Sequence, residues 1–562
     1  MTAPEDAHDS RPAGLVWEFA VRLRLLTDTH VGAARATPRH AAESDVHLHL
    51  DRDPRSGAPR LRATTLAGLL RHELLARTAD PDGTAALLGS GDTGGADGAR
   101  APSPLPSALD VDDAYAVLPD SAAVSVRVGT RVDPATGSVR PGRMWRWEVL
   151  PAGTVFTAHL RLRVAAPADE ARLLTLLVLA VRGLGGDGPG IRIGGRSGRG
   201  HGAVRADRWA ARRHDLTDEH GWFAYHARDW GTRWDEGAEA LTEPPEESPP
   251  GAAPAEPDLA ALLDVRLREH GRAATAAHLA ARPAHTDRRR RAELRMELYV
   301  AERSDPVSTG RPPAPRDLRP GLLMIGDAPA DGRLAEADRG HRWRPFVADH
   351  GGERVLFRPV LGDTALFALL KRVGGRLVRD ACEHLVGEGG RWRQWHGHWW
   401  GADTDHRPGA PPTPSRIRLR ATPPLDGGAP LTTTRLTVDA LFGDAVDGHL
   451  FTTDLHCGGS ARVVVDVTEP DDAVRGMLAL LVRELATVPL DALGAGAGSG
   501  QGRLVATRAV LTTHGGGRAP AEEVDLVAAL DDPDGRDART ARGWLPALHT
   551  RITGSDTEGE PR

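Results

Sequence analysis

One short segment of the sequence combines residue types that can hold a phosphate group. Residues 191–205 read IRIGGRSGRGHGAVR and contain five glycines within nine residues, with arginines at positions 192, 196 and 199. Glycine lets the backbone approach a ligand closely, and the planar guanidinium of arginine binds phosphate in a bidentate manner. The segment therefore indicates binding of a phosphate, and a nucleotide, a small substrate and a nucleic acid are all open as its source.

The spacing of this segment excludes the common nucleotide motifs. The chain has no G-x-x-x-x-G-K-[ST] sequence, and residues 194–202 lack the G-x-G-x-x-G spacing. The segment follows a predicted long helix and precedes a predicted strand, whereas nucleotide-binding loops lead from a strand into a helix. An extended phosphate backbone fits such a loop better.

A second candidate for close contact is ATTLAGLLRHELL, residues 63–75. Its periodicity predicts a helix with Thr64 or Thr65 as the N-cap. The predicted apolar face consists of Leu66, Leu69, Leu70 and Leu74. The opposite face carries Thr64, Gly68 and Arg71, and because glycine inside a helix is costly, this face indicates either a close-approaching partner or tight helix packing.

Both segments recur 300 residues later in the chain. DTALFALLKR (363–372) repeats the helix, with Lys371 in the place of Arg71, and GAGAGSGQG (494–502) repeats the glycine-rich loop GGRSGRGHG (194–202). Upstream of each loop the sequence predicts a strand, a proline–acid cap and an apolar helix. Two motifs at equal spacing with a shared plan between them indicate a duplicated domain of ordinary size.

Composition narrows the class of protein. The chain has 562 residues, a net charge of −6 and 40% hydrophobic residues, which predicts a globular protein of at least two domains and argues against a basic nucleic-acid binder overall. Nearly all its cations are arginine, Lys371 being the one lysine, so a local basic groove remains compatible with the net charge. Two cysteines favour free thiols, and the polar start of the chain favours the cytoplasm without a membrane anchor.

Taken in order, these segments resemble the RAMP superfamily of CRISPR-associated RNA-binding proteins, in particular the backbone subunits of type III effector complexes. ESDVHLHLDRDPRSGAPRLRATTLAGLLR (43–71) resembles the family's aspartate-containing loop and the helix start that follows it. SALDVDDA (107–114), the long segment 126–156 and the glycine-rich loop follow in the family's order. The second half repeats that layout.

The resemblance implies an α+β fold with two ferredoxin-like (RRM-like) domains carrying insertions. We expect a first RAMP domain at 14–235, a Pro- and acid-rich linker with a helix at 236–290, a second RAMP domain at 291–515 and a small C-terminal extension at 516–562. Such subunits line up along a guide RNA and grip its backbone, while base pairing reads the sequence.

In catalytic members of the family, an aspartate of the early loop helps a divalent metal cleave the paired target RNA. Asp45 is the match by position, as catalytic residue and as ligand of Mg²⁺, with Asp51, Asp53 and His47 as rivals under a shifted alignment. His40, His47 and His49 also suggest a metal site, which the shortage of cysteine and fixed acidic partners disfavours.

The predicted RNA-binding residues come from the helix start and the glycine-rich loop of each half. They are Thr64, Thr65, Gly68, Arg71, Arg192, Gly194, Gly195, Arg196, Gly198, Arg199, Gly200, Lys371 and Arg503. In the second half the loop has lost most of its charge, and Asp338 is the counterpart suggested for Asp45. RWRQWHGHWW (391–400) could stack bases or bury its tryptophans.

Three functions stay open from the sequence. The first is a tandem RAMP subunit of an antiviral type III complex that binds guide RNA, complementary target RNA and other effector subunits, and cuts the target through Asp45. The second is a structural subunit of the same complex that cuts nothing. The third is a stand-alone endoribonuclease that processes guide precursors with a histidine as general base.

Overall fold

The computed structural model describes most of the chain. The described residues are 14–32, 46–90, 105–132, 139–186, 188–241, 258–281, 287–302, 317–327, 337–347, 354–387, 392–401, 413–487, 489–517 and 520–554. Asp45, His40 and the Pro- and acid-rich segment 243–257 lie outside these ranges. The chain forms two compact units, of which the first comprises Met1–Gly195, Gly202–Arg288 and Val347–Val355, and the second Arg196–His201, Arg289–Phe346 and Leu356–Arg562.

The first unit contains eight strands and seven helices among its described residues. They are β1 (Leu15–Leu25), β2 (Arg60–Leu61), α1 (Ala63–Thr78), α2 (Pro81–Leu88), β3 (Leu109–Val111), β4 (Ala114–Val117), β5 (Ser125–Val132), β6 (Val139–Val149), β7 (Val155–Val164), α3 (Glu170–Val181), β8 (Val204–Asp215), α4 (Glu219–His226), α5 (Trp230–Ala240), α6 (Leu259–Glu269) and α7 (Ala273–Ala281).

The main sheet of this unit is antiparallel, with the order β2-β4-β7-β1-β8 and β3 paired with β7. Alternate residues of β1, among them Leu15, Trp17 and Phe19, point into the core, as the two-residue period of a strand requires. The core is completed by the apolar faces of α1 and α3. The predicted leucine face of α1 is confirmed, since Leu66, Leu70 and Leu74 are buried.

The predicted N-cap of α1 is wrong. The helix begins after Arg62, whose side chain makes no capping hydrogen bond. The carboxylate of Asp113 accepts instead from the backbone N–H of Ala63, at 2.7 Å. A residue fifty positions away thus satisfies one of the orphan amide donors at the start of the helix, and the threonines at positions 64 and 65 lie inside the helix and do not cap it.

The helices that follow β8 also belong to the first unit. On α5, Trp234 stacks on His159 of β7 with the ring centroids 3.7 Å apart, and burial lowers the pKa of His159 to about 4. Further along, α6 and α7 contribute Leu263, Leu267 and Ala276 to the first core. The region 236–290 therefore holds helices of the first unit in addition to the linker, and the boundary between the units falls at residues 288 and 289.

The second unit contains twelve strands and five helices among its described residues. They are β9 (Arg291–Ala301), β10 (Leu322–Leu323), β11 (Gly326–Asp327), β12 (Arg339–His341), β13 (Trp343–Val347), β14 (Val355–Pro359), α8 (Asp363–Val386), α9 (Trp392–Trp400), β15 (Ile417–Leu419), β16 (Ala429–Val438), β17 (Ala445–Cys457), β18 (Ser460–Thr468), α10 (Asp472–Thr487), β19 (Arg503–His514), β20 (Glu522–Asp525), α11 (Ala528–Asp531) and α12 (Arg536–Thr553).

Its main sheet has the order β15-β18-β9-β19-β20 and packs against α8 and α10. The predicted C-terminal extension contributes the edge strand β20 and the helix α12 to this unit, with Trp544, Leu548 and Ile552 buried in the core. In the tryptophan-rich segment, Trp399 and Trp400 are buried, which favours the packing alternative over base stacking for these two residues.

The two units share one order of core elements. In the first unit the strands β3-β7-β1-β8 lie side by side, with α1 and α3 on one face; in the second, β15-β18-β9-β19 lie side by side with α8 and α10. Along the chain each set follows a β-α-β-β-α-β order. The α+β class predicted from the sequence is confirmed.

Within the described ranges, none of the helices has both the length and the apolar character needed to cross a membrane.

Candidate nucleic-acid interface

The glycine-rich loop is built on backbone conformations that L side chains rarely adopt. Gly194 and Gly202 have φ angles of 80° and 77°. A Cβ atom at Gly194 would collide with the carbonyl oxygen of His30, and one at Gly202 with that of Ile193. Glycine is therefore required at both positions by dihedral angle and by space.

The second loop repeats this geometry closely. Gly494 and Gly502 have φ angles of 81° and 78°. The amide of Ile193 donates to the Gly202 carbonyl at 2.9 Å, and the amide of Leu493 donates to the Gly502 carbonyl at 2.7 Å. The 300-residue offset found in the sequence therefore relates two loops with the same local fold.

Two arginines of the first loop lie close together in the second unit. Arg196 has a φ of 63°, and the amide of Arg199 donates to its carbonyl at 2.9 Å, which forms a tight turn. Leu419, at the end of β15, donates its amide to the Gly198 carbonyl at 3.0 Å and fixes the tip of this turn. These backbone contacts fix the turn from which the two arginine side chains project.

Burial removes part of the hydration of these two guanidinium groups. Burial, aided by the positive charge of Arg199, lowers the pKa of Arg196 to about 10, and burial lowers that of Arg199 as well. An anion placed between the side chains would offset both the lost hydration and the mutual repulsion. The pair therefore has the electrostatic character of a phosphate site.

Asp363, at the N-terminus of α8, is the carboxylate that acts on both arginines. Burial alone would raise its pKa, but an ion pair with buried His201, the charge of Arg342 and a hydrogen bond from the Thr364 amide together lower it. The charge of Asp363 does not outweigh the effect of burial, since the pKa values of both arginines remain below the ordinary arginine value. The sequence carried no signal for this pair, since its members lie 162 positions apart.

Arg71 and Lys371, which the sequence aligned, occupy the same structural role in both units. The Arg71 guanidinium donates to the carbonyls of Leu88 and Gly89 at the end of α2. The Lys371 ammonium donates to the carbonyls of Trp400 and Gly401 at the end of α9. Each cation therefore satisfies the C-terminal carbonyls of the next helix, which supports the alignment and gives both side chains a structural task.

The other predicted residues are placed less informatively. On α1, Thr64 is exposed and Gly68 has open space around its Cα, so the small-residue face is accessible. Arg192 is half-buried, and its backbone forms an isolated antiparallel β-bridge with Ala203. Arg503 is half-buried at the start of β19. Of the remaining loop residues, Gly195 donates to the carbonyl of His30 and Gly200 has a φ of 88°.

The described carboxylates considered as alternatives or counterparts of Asp45 are engaged by other groups of the protein. Asp51 is ion-paired with Arg60 and Arg62, and Asp53 accepts from the amide and hydroxyl of Ser56. Asp338 accepts from the Thr452 amide at 2.8 Å. In the described part of the chain no three His, Cys, Asp or Glu side chains lie together as a candidate metal cluster.

One comparison with known proteins identifies a relationship. The model of the RAMP superfamily matches residues 22–205, which run from within β1 through the glycine-rich loop to the start of β8. No curated protein matches the chain.

Proposed function

We propose that the whole chain is a tandem RAMP subunit of a type III effector complex that binds guide RNA. The match of residues 22–205 to the model of the RAMP superfamily supports this proposal. In this proposal the second unit is the second RAMP domain of the chain, and it arose by duplication of the first. The shared order of core elements and the matched glycine-rich loops support this duplication. Other effector subunits and a target RNA paired with the guide are the further partners.

The observation that carries the proposal is the pair of desolvated arginines in the first glycine-rich loop. Arg196 and Arg199 sit in one turn, and both guanidinium groups have lost hydration that a phosphate would restore. Such contacts hold the sugar–phosphate backbone and carry no sequence information. A subunit of this kind grips any guide, and base pairing between guide and target supplies the specificity.

The test replaces both arginines, in the variant Arg196→Gln/Arg199→Gln. We expect RNA affinity to fall at least tenfold, and the slope of log affinity against log salt to become shallower by about 1.4, since each phosphate contact with a single strand contributes about 0.7. Binding of a labelled single-stranded RNA is measured over a series of NaCl concentrations. The matched control is Arg266→Gln on α6, an exposed arginine paired with Glu269, and equal affinities for both variants would refute the proposal.

Cleavage of the target strand through Asp45 is a separate part of the proposal. It is supported by the position of Asp45 in the motif that resembles the family's early loop. The assembled complex with Asp45→Ala is given complementary RNA and Mg²⁺, and loss of the cleavage products is expected while guide binding stays intact. Unchanged products would assign the protein to the structural, non-cutting class of subunits.

A further inference from the structure

The main sheet of the second unit carries a cluster of cations on its outer face, the side turned away from α8 and α10. Because side chains alternate along a strand, the residues of β9 between the core positions face outward, together with their partners on β18 and β19. Two neighbouring rows of three residues form the centre of this face. They are Arg462, Glu297 and Arg508 in one row, and Val464, Arg295 and Val510 in the other.

The arginines of this outer face are exposed and incompletely neutralised. Arg295 pairs with Glu293, and its side chain is still 63% exposed. Among the described residues, no side-chain hydrogen bond or ion pair engages the exposed side chains of Arg462 and Arg508. Glu297, between these two, supplies a single negative charge. The face therefore combines an excess of positive charge with two half-buried valines.

The pairing register relates this face to the outer face of the first main sheet. In the first sheet, Arg22 pairs with Arg208 next to an irregularity in register. In the second sheet, Glu297 pairs with Arg508 next to an irregularity at the same place. Arg208 is therefore the counterpart of Arg508, 300 residues earlier in the chain.

In the first unit, helix α5 covers this outer face. The carbonyl of Leu241, at the C-terminal end of α5, accepts from the Arg208 guanidinium at 2.7 Å. The Glu236 carboxylate pairs with a further arginine of β8, and the ring of Trp234 stacks on His159 of β7. The negative end of a helix and a carboxylate thus neutralise the outward arginines, while a large side chain covers the sheet.

We propose that the outer face of the second unit binds an acidic helix of another protein. The C-terminal carbonyls of that helix meet Arg508, as those of α5 meet Arg208, and its carboxylates meet Arg295 and Arg462. An apolar side chain of the helix covers the two valines, and such an apolar centre with arginine around it is typical of protein interfaces. The carboxylate of Glu297 would repel the phosphates of a nucleic acid strand, which favours a protein as the partner.

The helix that fits this face is more acidic than α5. A Cβ atom at Gly237 of α5 would lie 3.4 Å from the Cβ atom of Ala20. Ala20 pairs with His159 as Arg295 pairs with Val464, so Arg295 is the counterpart of Ala20. A carboxylate at the position of Gly237 would therefore meet the Arg295 guanidinium. The inference goes beyond the proposed function and does not depend on RNA as a ligand.

The test measures binding of a labelled helical peptide to the full-length protein by fluorescence anisotropy. The probe has the sequence of residues 229–241 of this chain with Gly237→Glu. Gly231→Lys, joined to Asp235 by a lactam bridge, keeps the peptide helical, since positions four apart are neighbours on a helix. We expect saturable binding to the wild-type protein.

The variant Arg462→Glu/Arg508→Glu tests whether the peptide binds to this face. We expect its affinity for the peptide to fall at least tenfold, because two attractive charges become repulsive. Arg483→Glu, at an exposed arginine of α10, is the matched control and should bind as the wild type does. Thermal unfolding checks that each variant is folded, and the milder Arg508→Gln, which should also weaken binding, replaces the double variant if that protein does not fold.

Three outcomes would overturn the inference. The first is the absence of saturable binding at peptide concentrations up to about 1 mM, a weak affinity for a specific site. The second is equal peptide affinity of the wild type and the folded variant. The third is a variant whose affinity falls only for labelled single-stranded RNA, which would assign the face to nucleic acid. None of these outcomes bears on RNA binding through the first glycine-rich loop, so the proposed function is tested separately.

Discussion

At the scale of single residues, the candidate phosphate-binding cations fall into two groups with different tasks. Arg71 and Lys371 satisfy the carbonyls at the ends of helices, whereas Arg196 and Arg199 are crowded together with their hydration reduced. The sequence grouped all four as candidates for phosphate binding because residue type and spacing cannot show which hydrogen bonds a side chain already makes. The structure separates them through those hydrogen bonds.

The ion pair between His201 and Asp363 gives a prediction about stability. We expect Asp363→Asn to lower the free energy of unfolding by about 1.5–3 kcal/mol, because the charged acceptor of a hydrogen bond with buried His201 is lost. The measurement is urea unfolding at neutral pH. Asp380→Asn, at an exposed position of the same helix where the carboxylate pairs with the neighbouring Arg379, is the control and should cost less than about 0.5 kcal/mol.

The same pair fixes the direction of a pH effect. The pKa of Asp363 in the folded protein lies below the ordinary aspartate value of 3.8, so its contribution to stability is complete above that value and is lost as the pH falls toward the folded-state pKa. The difference in unfolding free energy between the wild type and Asp363→Asn should therefore shrink as the pH is lowered below about 4. A difference that stays constant down to pH 3 would contradict this role.

At the scale of elements, α12 belongs to the second core. Leu548 is 5% exposed within that core, while the next residue, His549, is exposed. We expect Leu548→Ala to cost about 2–5 kcal/mol, because it leaves a cavity among packed side chains, and His549→Ala to change stability by less than about 0.5 kcal/mol. Thermal unfolding of both variants checks this, and equal melting temperatures would show that the helix is dispensable.

Elements were predictable where a local pattern sets them. The leucine period of α1 and the glycines at 194 and 494 are fixed by local backbone and packing requirements, and both predictions agree with the structure. The cap of α1 was missed because Asp113 reaches it from a strand far along the chain. The packing of α5 on the first sheet was missed for a similar reason, since the contact between Trp234 and His159 has no local signature.

At the scale of the whole molecule, the repeat was the strongest signal in the sequence. The 300-residue offset predicted two units, and the structure has two units with the same order of core elements. The predicted boundaries differ most where helices join a core from outside the repeat, as α6 and α12 do. Such additions follow no repeated pattern, so their membership depends on contacts that only the folded chain shows.

The assignment of residues 196–201 to the second unit has a practical consequence for anyone who wishes to divide this protein. Scission of the peptide bond after residue 288 would leave the carboxyl-terminal fragment without six residues of its own body, the histidine partner of Asp363 among them. A chimaera made by exchanging the halves of two related proteins at residue 288 would likewise combine a second unit with residues 196–201 of the other protein. A second unit that is transferred to another protein therefore needs residues 196–201 as well as the chain after residue 288.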